Sequence, residues 1–259
     1  MSSLWTRPTP PRRPALTREA IVAAAIAIAD AEGIAAVSIR RVAAELGARA
    51  MTLYSYIERK EDLLALMLDE VAAEVLVPDP LPDGWRAALL LLARRERELV
   101  RRHPWRVDLI SQRVPIGPNA LRHVEQKLSV FDGLGIDRLT AWRFLAVFND
   151  YMTGFVVRES LERAAPRQLG INDAERAAVA EPYIKELVES GEFARLAPMI
   201  QQGVPGADDN FERGLDWVLD GLEHAAKAAA GASGTGGGSG VDADGGSWRT
   251  ESGGDAPGR

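Results

Sequence analysis

The chain has 259 residues, of which 46% are hydrophobic and 26% charged, a composition typical of a folded globular protein of one or two domains. It contains no cysteine, which excludes disulfides, thiolate metal sites and a cysteine nucleophile, and which fits a reducing cytoplasm. Residues 1–60 carry nine Lys and Arg against five Asp and Glu, whereas the rest carries 22 against 32. A basic N-terminal segment on an acidic body suits a nucleic-acid face joined to a domain that does not touch nucleic acid.

The first 16 residues contain four prolines and three arginines, and proline at this density prevents a helix. We expect residues 1–16 to form a disordered arm, which is either an inert leader or a segment that reaches the DNA backbone or minor groove. The arm lacks the apolar stretch of a secretory signal, and no apolar run in the chain is long enough to span a bilayer. A cytoplasmic protein is therefore expected.

Helical periodicity then continues through most of the chain, interrupted by proline or glycine at most of the joints. The first helix begins after Thr17, a predicted N-cap, and ends at Gly33. The other predicted helices cover 38–46, 49–57, a segment from residue 60 onward, 85–102, 104–112, 118–132, 138–164, 173–190, 192–202 and 209–228. Because no stretch alternates with a period of two, the predicted fold class is all-α, with a helix-turn-helix domain over 17–76 and a second helical domain over 84–228.

The end of the chain has a different composition. Residues 231–259 contain 11 glycines and four serines among 29 positions, with Val241 and Trp248 as the only large apolar side chains. Such a segment cannot bury enough apolar surface to offset the entropy of ordering it. We therefore predict a disordered tail over 229–259.

The helix-turn-helix prediction comes from three spaced residues. Two short helices that cross steeply need a small residue at the crossing, and Ala43 provides it. Gly47, four residues later, allows the positive φ of a tight turn, and Leu53 then packs back under the first helix. The same spacing also arises by chance in an alanine-rich helical hairpin, so by itself it favours the motif only slightly.

The residues around this spacing resemble the TetR family of transcriptional regulators over about residues 17–75. The stretch 53–64, LYSYIERKEDLL, is similar to the family's Leu-Tyr pair in the recognition helix followed by a lysine at the start of the fourth helix, and VSIRRVA over 37–43 also matches. This resemblance implies an N-terminal DNA-binding domain, a helical domain for dimerisation and ligand binding, a palindromic operator and, most often, repression released by a small molecule.

The resemblance and the residue chemistry together give a set of DNA-contact residues. Tyr54 and Lys60 suit phosphate oxygens, since a phenol, an ammonium and a helix N-terminus can all donate hydrogen bonds to them. The segment from Ala50 to Tyr56 contains no Arg, Lys, Asn or Gln. Base-edge contacts would therefore come from Arg40, Arg49, Thr52 and Tyr56, with methyl contacts from Ala50 or Met51 to thymine. The predicted set is Arg40, Arg41, Arg49, Ala50, Met51, Thr52, Tyr54, Ser55, Tyr56 and Lys60.

Apolar stripes in the second half predict a dimer interface and a ligand pocket. A four-helix interface between two subunits is expected from the last helix and from helix 138–164, with one large monomeric core as the alternative. The predicted interface residues are Phe144, Tyr151, Phe211, Leu215, Val218, Leu219 and Leu222. A largely apolar or aromatic effector is expected in a pocket. Its predicted lining is His103, Trp105, Phe148, Asn149, Met152 and Phe155, with plain core packing as the alternative for each residue.

Two other classes of protein are alternatives to a transcriptional regulator. An enzyme is not favoured, because the sequence has no phosphate-binding glycine loop, no His-Glu-x-x-His, no zinc spacing and no Gly-x-Ser-x-Gly, and its three histidines are scattered. We expect no catalytic residue, no metal and no cofactor. The remaining alternative is a helical ligand carrier or partner-binding adaptor whose DNA-binding domain is not functional.

Overall fold

The computed structural model describes residues 16–109, 116–169, 173–202 and 207–234. These residues form helices and no strand, which confirms the all-α prediction. None of the helices in the described ranges combines the length and apolar character needed to cross a membrane. The helices are α1 (Arg18–Glu32), α2 (Ile39–Glu45), α3 (Ala50–Leu53), α4 (Lys60–Ala72), α5 (Trp85–Arg102), α6 (Arg106–Leu109), α7 (Pro118–Ser129), α8 (Arg138–Leu169), α9 (Asp173–Glu189), α10 (Ala197–Gln202) and α11 (Ala207–Gly234).

Helices α1 to α4 surround the first of two apolar cores. The Thr17 side chain caps α1 by accepting a hydrogen bond from the backbone N–H of Ala20 at 3.1 Å, and Ser38 caps α2 in the same way through Arg41. Ile21, Leu53 and other apolar residues of the four helices are buried together. The core also takes in Leu99, Trp105 and Leu109, so α5 and α6 contribute to the N-terminal unit as well as to the body.

The second core lies among α5, α7, α8 and α11. Its fully buried side chains include Leu89 and Leu92 of α5, Phe148 of α8, and Phe211 and Leu215 of α11. Helices α8 and α11 pack against each other over many turns, and α5 packs on α8. The predicted helical body over 84–228 is built around this core.

A buried carboxylate ties α5 to α8. Glu159 accepts hydrogen bonds from Arg97 and from Arg101, each at 2.6 Å, and its side chain is only 6% exposed. The Arg97 guanidinium also lies 4.4 Å from the ring centroid of Phe211 in α11. Burial by itself raises the pKa of Glu159, but the two arginines outweigh it and lower the pKa to about 2.

Several helix boundaries differ from the sequence predictions. Helix α3 has four residues instead of nine, because the chain tightens into turns after Leu53. Helix α6 begins two residues late, since His103 to Trp105 form a turn. Helix α8 continues past Pro166, beyond the predicted end at residue 164. Because proline has no N–H, the carbonyl of Glu162 lacks its helical donor, and Glu162 is exposed.

The predicted flexible ends also require correction. Helix α11 continues to Gly234, six residues into the segment that was predicted to be a disordered tail. Leu16, assigned to the N-terminal arm, instead packs on the first core. The rest of the arm and residues 235–259 lie outside the described residues.

The acid dependence of stability tests the α5–α8 clamp. The folded pKa of Glu159, about 2, lies below the ordinary glutamate value of 4.5, so its stabilisation is present above pH 4.5 and is lost as pH falls towards 2. At pH 7, Glu159→Gln should lower the free energy of unfolding by about 3 kcal/mol, because the half-buried Arg97 and Arg101 lose the buried carboxylate that they share. It should also flatten the decline in stability between pH 5 and 2, as measured by urea denaturation at fixed protein concentration.

Glu181→Gln, at an exposed position of α9, is the matched control and should leave both quantities unchanged. A Glu159→Gln protein with wild-type stability and an unaltered acid profile would show that the clamp contributes nothing.

Candidate nucleic-acid interface and effector cavity

The helix-turn-helix has the geometry that its spacing predicted. Gly47 has a φ of 60°, in the left-handed region that favours glycine, and the turn closes with Ala48 N–H donating to the carbonyl of Ala43 at 2.8 Å. Ala43 is buried at the crossing of α2 and α3, and Leu53 is fully buried beneath it. Leu53 and Ile57 pack inward, which leaves Met51, Thr52 and the residues 54–56 facing solvent.

Most of the predicted DNA-contact residues lie on one exposed surface. Met51 is 76% exposed, and Tyr54 and Tyr56 keep nearly half of their surface in water although they are aromatic. Ala50 is half-buried. The other exposed members are Arg40, Arg49, Thr52, Ser55 and Lys60. Within the described part of the chain, no carboxylate lies at ion-pair distance from Arg40, Arg49 or Lys60, so these three cations can meet phosphates without first breaking a salt bridge.

Arg41 has a different environment from the other predicted contacts. Its guanidinium is half-buried and makes two ion pairs of 2.7 Å, one with Glu32 of α1 and one with Glu45 of α2. These bonds fix α2 against α1. A phosphate would have to compete with these two carboxylates for the guanidinium, and the DNA contact of Arg41 stays a prediction.

Lys60 occupies the first position of α4. The Asp62 carboxylate accepts a hydrogen bond from the backbone N–H of Arg59 at 3.1 Å and forms an ion pair with the Arg59 side chain at 3.2 Å. These two contacts cap the first turn of α4. Ser55 donates to the carbonyl of Thr52 at 2.7 Å, which stabilises the turn that carries Tyr54. The tyrosine and the lysine are thus held on either side of a rigid turn, both exposed.

One cavity of the helical body has a volume of about 450 Å³, within the usual range for small-molecule sites. It lies between α4, α5, α6, α7 and α8. Its apolar lining is Leu68, Ala72, Val75, Leu99, Val100, Leu109, Ala120, Val124, Met152 and Val156, and its polar lining is Glu96, Arg106, His123, Lys127, Asn149 and Thr153. In the described ranges, no cluster of His, Asp and Glu suited to a metal ion occurs there or elsewhere.

Of the six predicted pocket residues, only Asn149 and Met152 line this cavity. His103 and Trp105 lie in the junction between the two cores. Nδ1 of His103 and Nε1 of Trp105 each lie 2.7 Å from Oδ1 of Asp30 in α1, and Nε2 of His103 lies 3.2 Å from Glu74. These contacts bind the N-terminal unit to the body. The partners Asp30 and Glu74 lie far from His103 and Trp105 in the sequence, so the residues next to α5 could not predict this role.

The two predicted phenylalanines pack in the second core instead. Phe148 is fully buried, and Phe155 packs on Phe211 with a centroid distance of 4.9 Å. Apart from Asn149, sequence reasoning missed the polar residues of the cavity. The one available signal was the spacing of His123 and Lys127, which places two polar groups on one face of α7, but their partner Glu96 comes from α5 and is not predictable from either helix.

A tertiary cap joins the cavity wall to the DNA-binding unit. The N-cap of α7 is Gly117, which has no side chain, and Asp69 of α4 supplies the missing acceptor. Its Oδ1 accepts from the backbone N–H groups of Asn119 at 2.8 Å and Ala120 at 3.1 Å. A Cβ on Gly117 would lie 2.3 Å from the Asp69 carboxylate, so only glycine permits this approach.

The stripe predicted to form the dimer interface faces the subunit's own core. Five of its seven residues are buried within the subunit, and only Tyr151 and Val218 are half-buried. The opposite face of α11 carries Trp217, which is 69% exposed, beside Gly221. Val147 and Leu161 are exposed on the neighbouring face of α8. The buried five are Phe144, Phe211, Leu215, Leu219 and Leu222.

Two family models match the chain. The model described as bacterial regulatory proteins of the tetR family matches residues 21–67, and the model described as a tetracyclin repressor-like C-terminal domain matches residues 77–226. The second model alone covers more than half of the chain. Both matches coincide with the units described above, the first with α1 to α4 and the second with the helical body.

Relatives and solved structures agree with these matches. The HTH-type transcriptional repressor DrrR1 of Streptomyces coeruleorubidus is 37% identical over 224 residues, which are 85% of this chain and 83% of that protein. The crystal structure of apo ActR from Streptomyces coelicolor is 28% identical, with a TM-score of 0.70 over 83% of this chain and 98% of that one. ActR in complex with actinorhodin is similar, with a TM-score of 0.68, 26% identity and coverage of 80% and 95%.

The tertiary cap on α7 can be tested by stability. Asp69→Ala should lower the free energy of unfolding by about 1 kcal/mol, as expected for a lost N-cap, whereas Asp69→Asn keeps an acceptor oxygen and should cost less. Gly117→Ala should resemble Asp69→Ala because its Cβ displaces the carboxylate. Thermal melts of the three variants measure this. Equal stability of Asp69→Ala and wild type would contradict the cap.

Proposed function

The chain belongs to the TetR family of bacterial regulatory proteins, and we propose that it is a homodimeric repressor that leaves its operator when a small molecule enters the α4–α8 cavity. The observation that carries this proposal is the double role of α4. Leu63 and Met67 are fully buried in the helix-turn-helix core, while Leu68 and Ala72 line the cavity. The relative DrrR1 is a repressor, and ActR has been solved both empty and with actinorhodin.

We assign DNA docking to the exposed surface of α2, α3 and the start of α4. A dimer would present two copies of α3 to successive major grooves, which lie about 34–36 Å apart, on a palindromic operator. Tyr54 and Lys60 would hold phosphates. Arg40, Arg49 and the other exposed residues would reach base edges, with methyl contacts from Ala50 or Met51 to thymine. Such binding takes place in the cytoplasm, where bacterial DNA lies.

The dimer is assigned to the outer faces of α8 and α11. Gly154 and Gly221 are helical glycines with open space where a Cβ would be, and glycine inside a helix costs about 1 kcal/mol relative to alanine. Packing within the described subunit does not explain why glycine stands at these two positions, whereas close approach of a partner's helices would explain both. The exposed Trp217, Val147 and Leu161 would be covered at the same time, which removes apolar surface from water.

Release from DNA would follow from a change in the contacts of α4. A ligand that fits the cavity better when α7 is displaced would move Asp69, which is bonded to the first turn of α7. Because α4 also packs on α1, a shift of α4 changes the orientation of the helix-turn-helix relative to its copy in the dimer. The ligand acts only through its different affinities for the two arrangements.

The test of DNA binding is a titration of the protein against DNA from its own promoter region, followed by fluorescence anisotropy at several salt concentrations. Lys60→Ala should weaken binding about tenfold and reduce the salt slope by about one, since one phosphate contact is lost. Tyr54→Phe should weaken binding by a similar factor without changing the slope, because it removes a hydrogen bond and no charge.

Lys185→Ala, at an exposed position of α9, is the matched control and should alter neither affinity nor slope. If the wild type binds no promoter DNA even at low salt, the repressor proposal fails. The alternative of a ligand carrier or adaptor without DNA-binding activity would then be favoured.

The dimer surface has its own test. Trp217→Glu should convert the dimer into monomers at micromolar concentration, because two charges would be buried at the twofold axis region without partners. Leu121→Glu, on the exposed face of α7, is the control and should remain dimeric. Sedimentation velocity distinguishes the two states. A Trp217→Glu protein that stays dimeric would place the interface elsewhere.

A further inference from the structure

One end of the cavity is polar, and its positively charged side chains outnumber its negatively charged ones. Glu96 of α5 lies at its centre and receives Lys127 at 2.8 Å and Nε2 of His123 at 2.5 Å, both from α7. Lys127 also donates to Oδ1 of Asn149 in α8 at 2.8 Å. Burial raises the pKa of Glu96, but the ammonium and the imidazole outweigh it and lower the pKa to about 2, so this carboxylate is ionised and neutralised within the wall.

Arg106 of α6 lines the same cavity and has no such partner. Its Nε is buried without a hydrogen-bond acceptor, and the only hydrogen bond of its side chain to the described residues is a long one, 3.5 Å, from a terminal nitrogen to the carbonyl of Leu68. Among the described residues, no carboxylate lies within ion-pair distance of it. Burial lowers its pKa, but a guanidinium keeps its proton, so a positive charge remains at the cavity wall.

A second buried polar atom without a partner belongs to another residue that lines the cavity. His123 is about nine-tenths buried, and its Nδ1 has no hydrogen-bond partner. Since its Nε2 lies against the Glu96 carboxylate, Nε2 carries the hydrogen in the neutral ring and Nδ1 is an acceptor. Buried polar groups in folded proteins nearly always have partners, and two orphan atoms in one cavity indicate groups that a ligand satisfies.

We propose that the effector is an apolar, ring-sized molecule that carries an acidic oxygen, a carboxylate or an ionised phenol, which binds the Arg106 guanidinium. A hydroxyl on the same molecule would donate to Nδ1 of His123. This proposal rests on the proposed function and specifies its ligand class. The apolar lining contributed by α4, α5 and α7 accommodates the ring system, and the arginine sets the charge.

Other ligand classes fit these residues less well. A cationic ligand would approach an unpaired guanidinium, while the one carboxylate that could attract it is already bonded to Lys127 and His123. A neutral hydrocarbon would leave Arg106 and His123 without partners in a dehydrated cavity, which is costly. An acidic oxygen pairs the charge and gains a charge-assisted hydrogen bond.

The experiment compares two probes of equal size on the full-length dimer by calorimetric titration: naphthalene-2-carboxylate and naphthalene-2-carboxamide. The carboxylate should bind the wild type at least about tenfold more tightly, as expected for a hydrogen bond to a charged group. Arg106→Gln should abolish this preference while changing the affinity for the amide less than about twofold. Arg138→Gln, at an exposed position of α8, removes the same charge outside the cavity and should keep the preference.

Three results would overturn the proposal: equal affinity of the two probes for wild type, a preference that survives Arg106→Gln, or binding of neither probe at millimolar concentration. If Arg106→Gln does not fold by circular dichroism, Arg106→Lys replaces it and should show a reduced preference, and the wild-type comparison stands regardless. Promoter-DNA binding is measured on the same samples. Acid preference without DNA binding would refute the repressor alone, and DNA binding without acid preference would refute the ligand class alone.

Discussion

Helix α4 has to satisfy two sets of neighbours, and the arrangement of the whole chain depends on this constraint. Its buried residues complete the core of the helix-turn-helix, its last turns form a wall of the cavity, and its Asp69 caps the first turn of α7. A helix packed in this way cannot move at one end without changing contacts at the other, because close-packed interfaces have few alternative arrangements. The coupling between ligand and DNA can therefore be carried by packing alone.

The junction between the two cores is strengthened by polar contacts to the buried side chains of His103 and Trp105. Asp30 of α1 bonds to His103 and Trp105, and Glu74 pairs with His103 and Arg102. These contacts orient the DNA-binding unit on the body, since directional bonds to one carboxylate define an angle that apolar packing does not. The N-terminal unit is thus held at a fixed junction near α6 and at a displaceable contact on α7.

Charge is distributed differently in the three functional regions. Within the described part of the chain, the proposed DNA-docking surface leaves Arg40, Arg49 and Lys60 without carboxylate partners, while Arg41 is paired twice. The cavity contains one arginine that lacks a partner among the described residues. The clamp at Glu159, in contrast, is fully paired and has a structural role. An unpaired cation that the fold holds in position marks a place where an anion is expected to bind, whether phosphate or effector.

The features that depend on neighbouring residues were predictable from the sequence: the helical class, the cap at Thr17, the turn at Gly47 and the exposed tyrosines that follow it. Which face of α11 is buried follows only from its tertiary packing. An apolar stripe shows that a helix has a buried side, but the side is covered equally well by its own core or by a second subunit. The cavity residues Arg106, Glu96 and His123 come from three helices, and no local pattern brings them together.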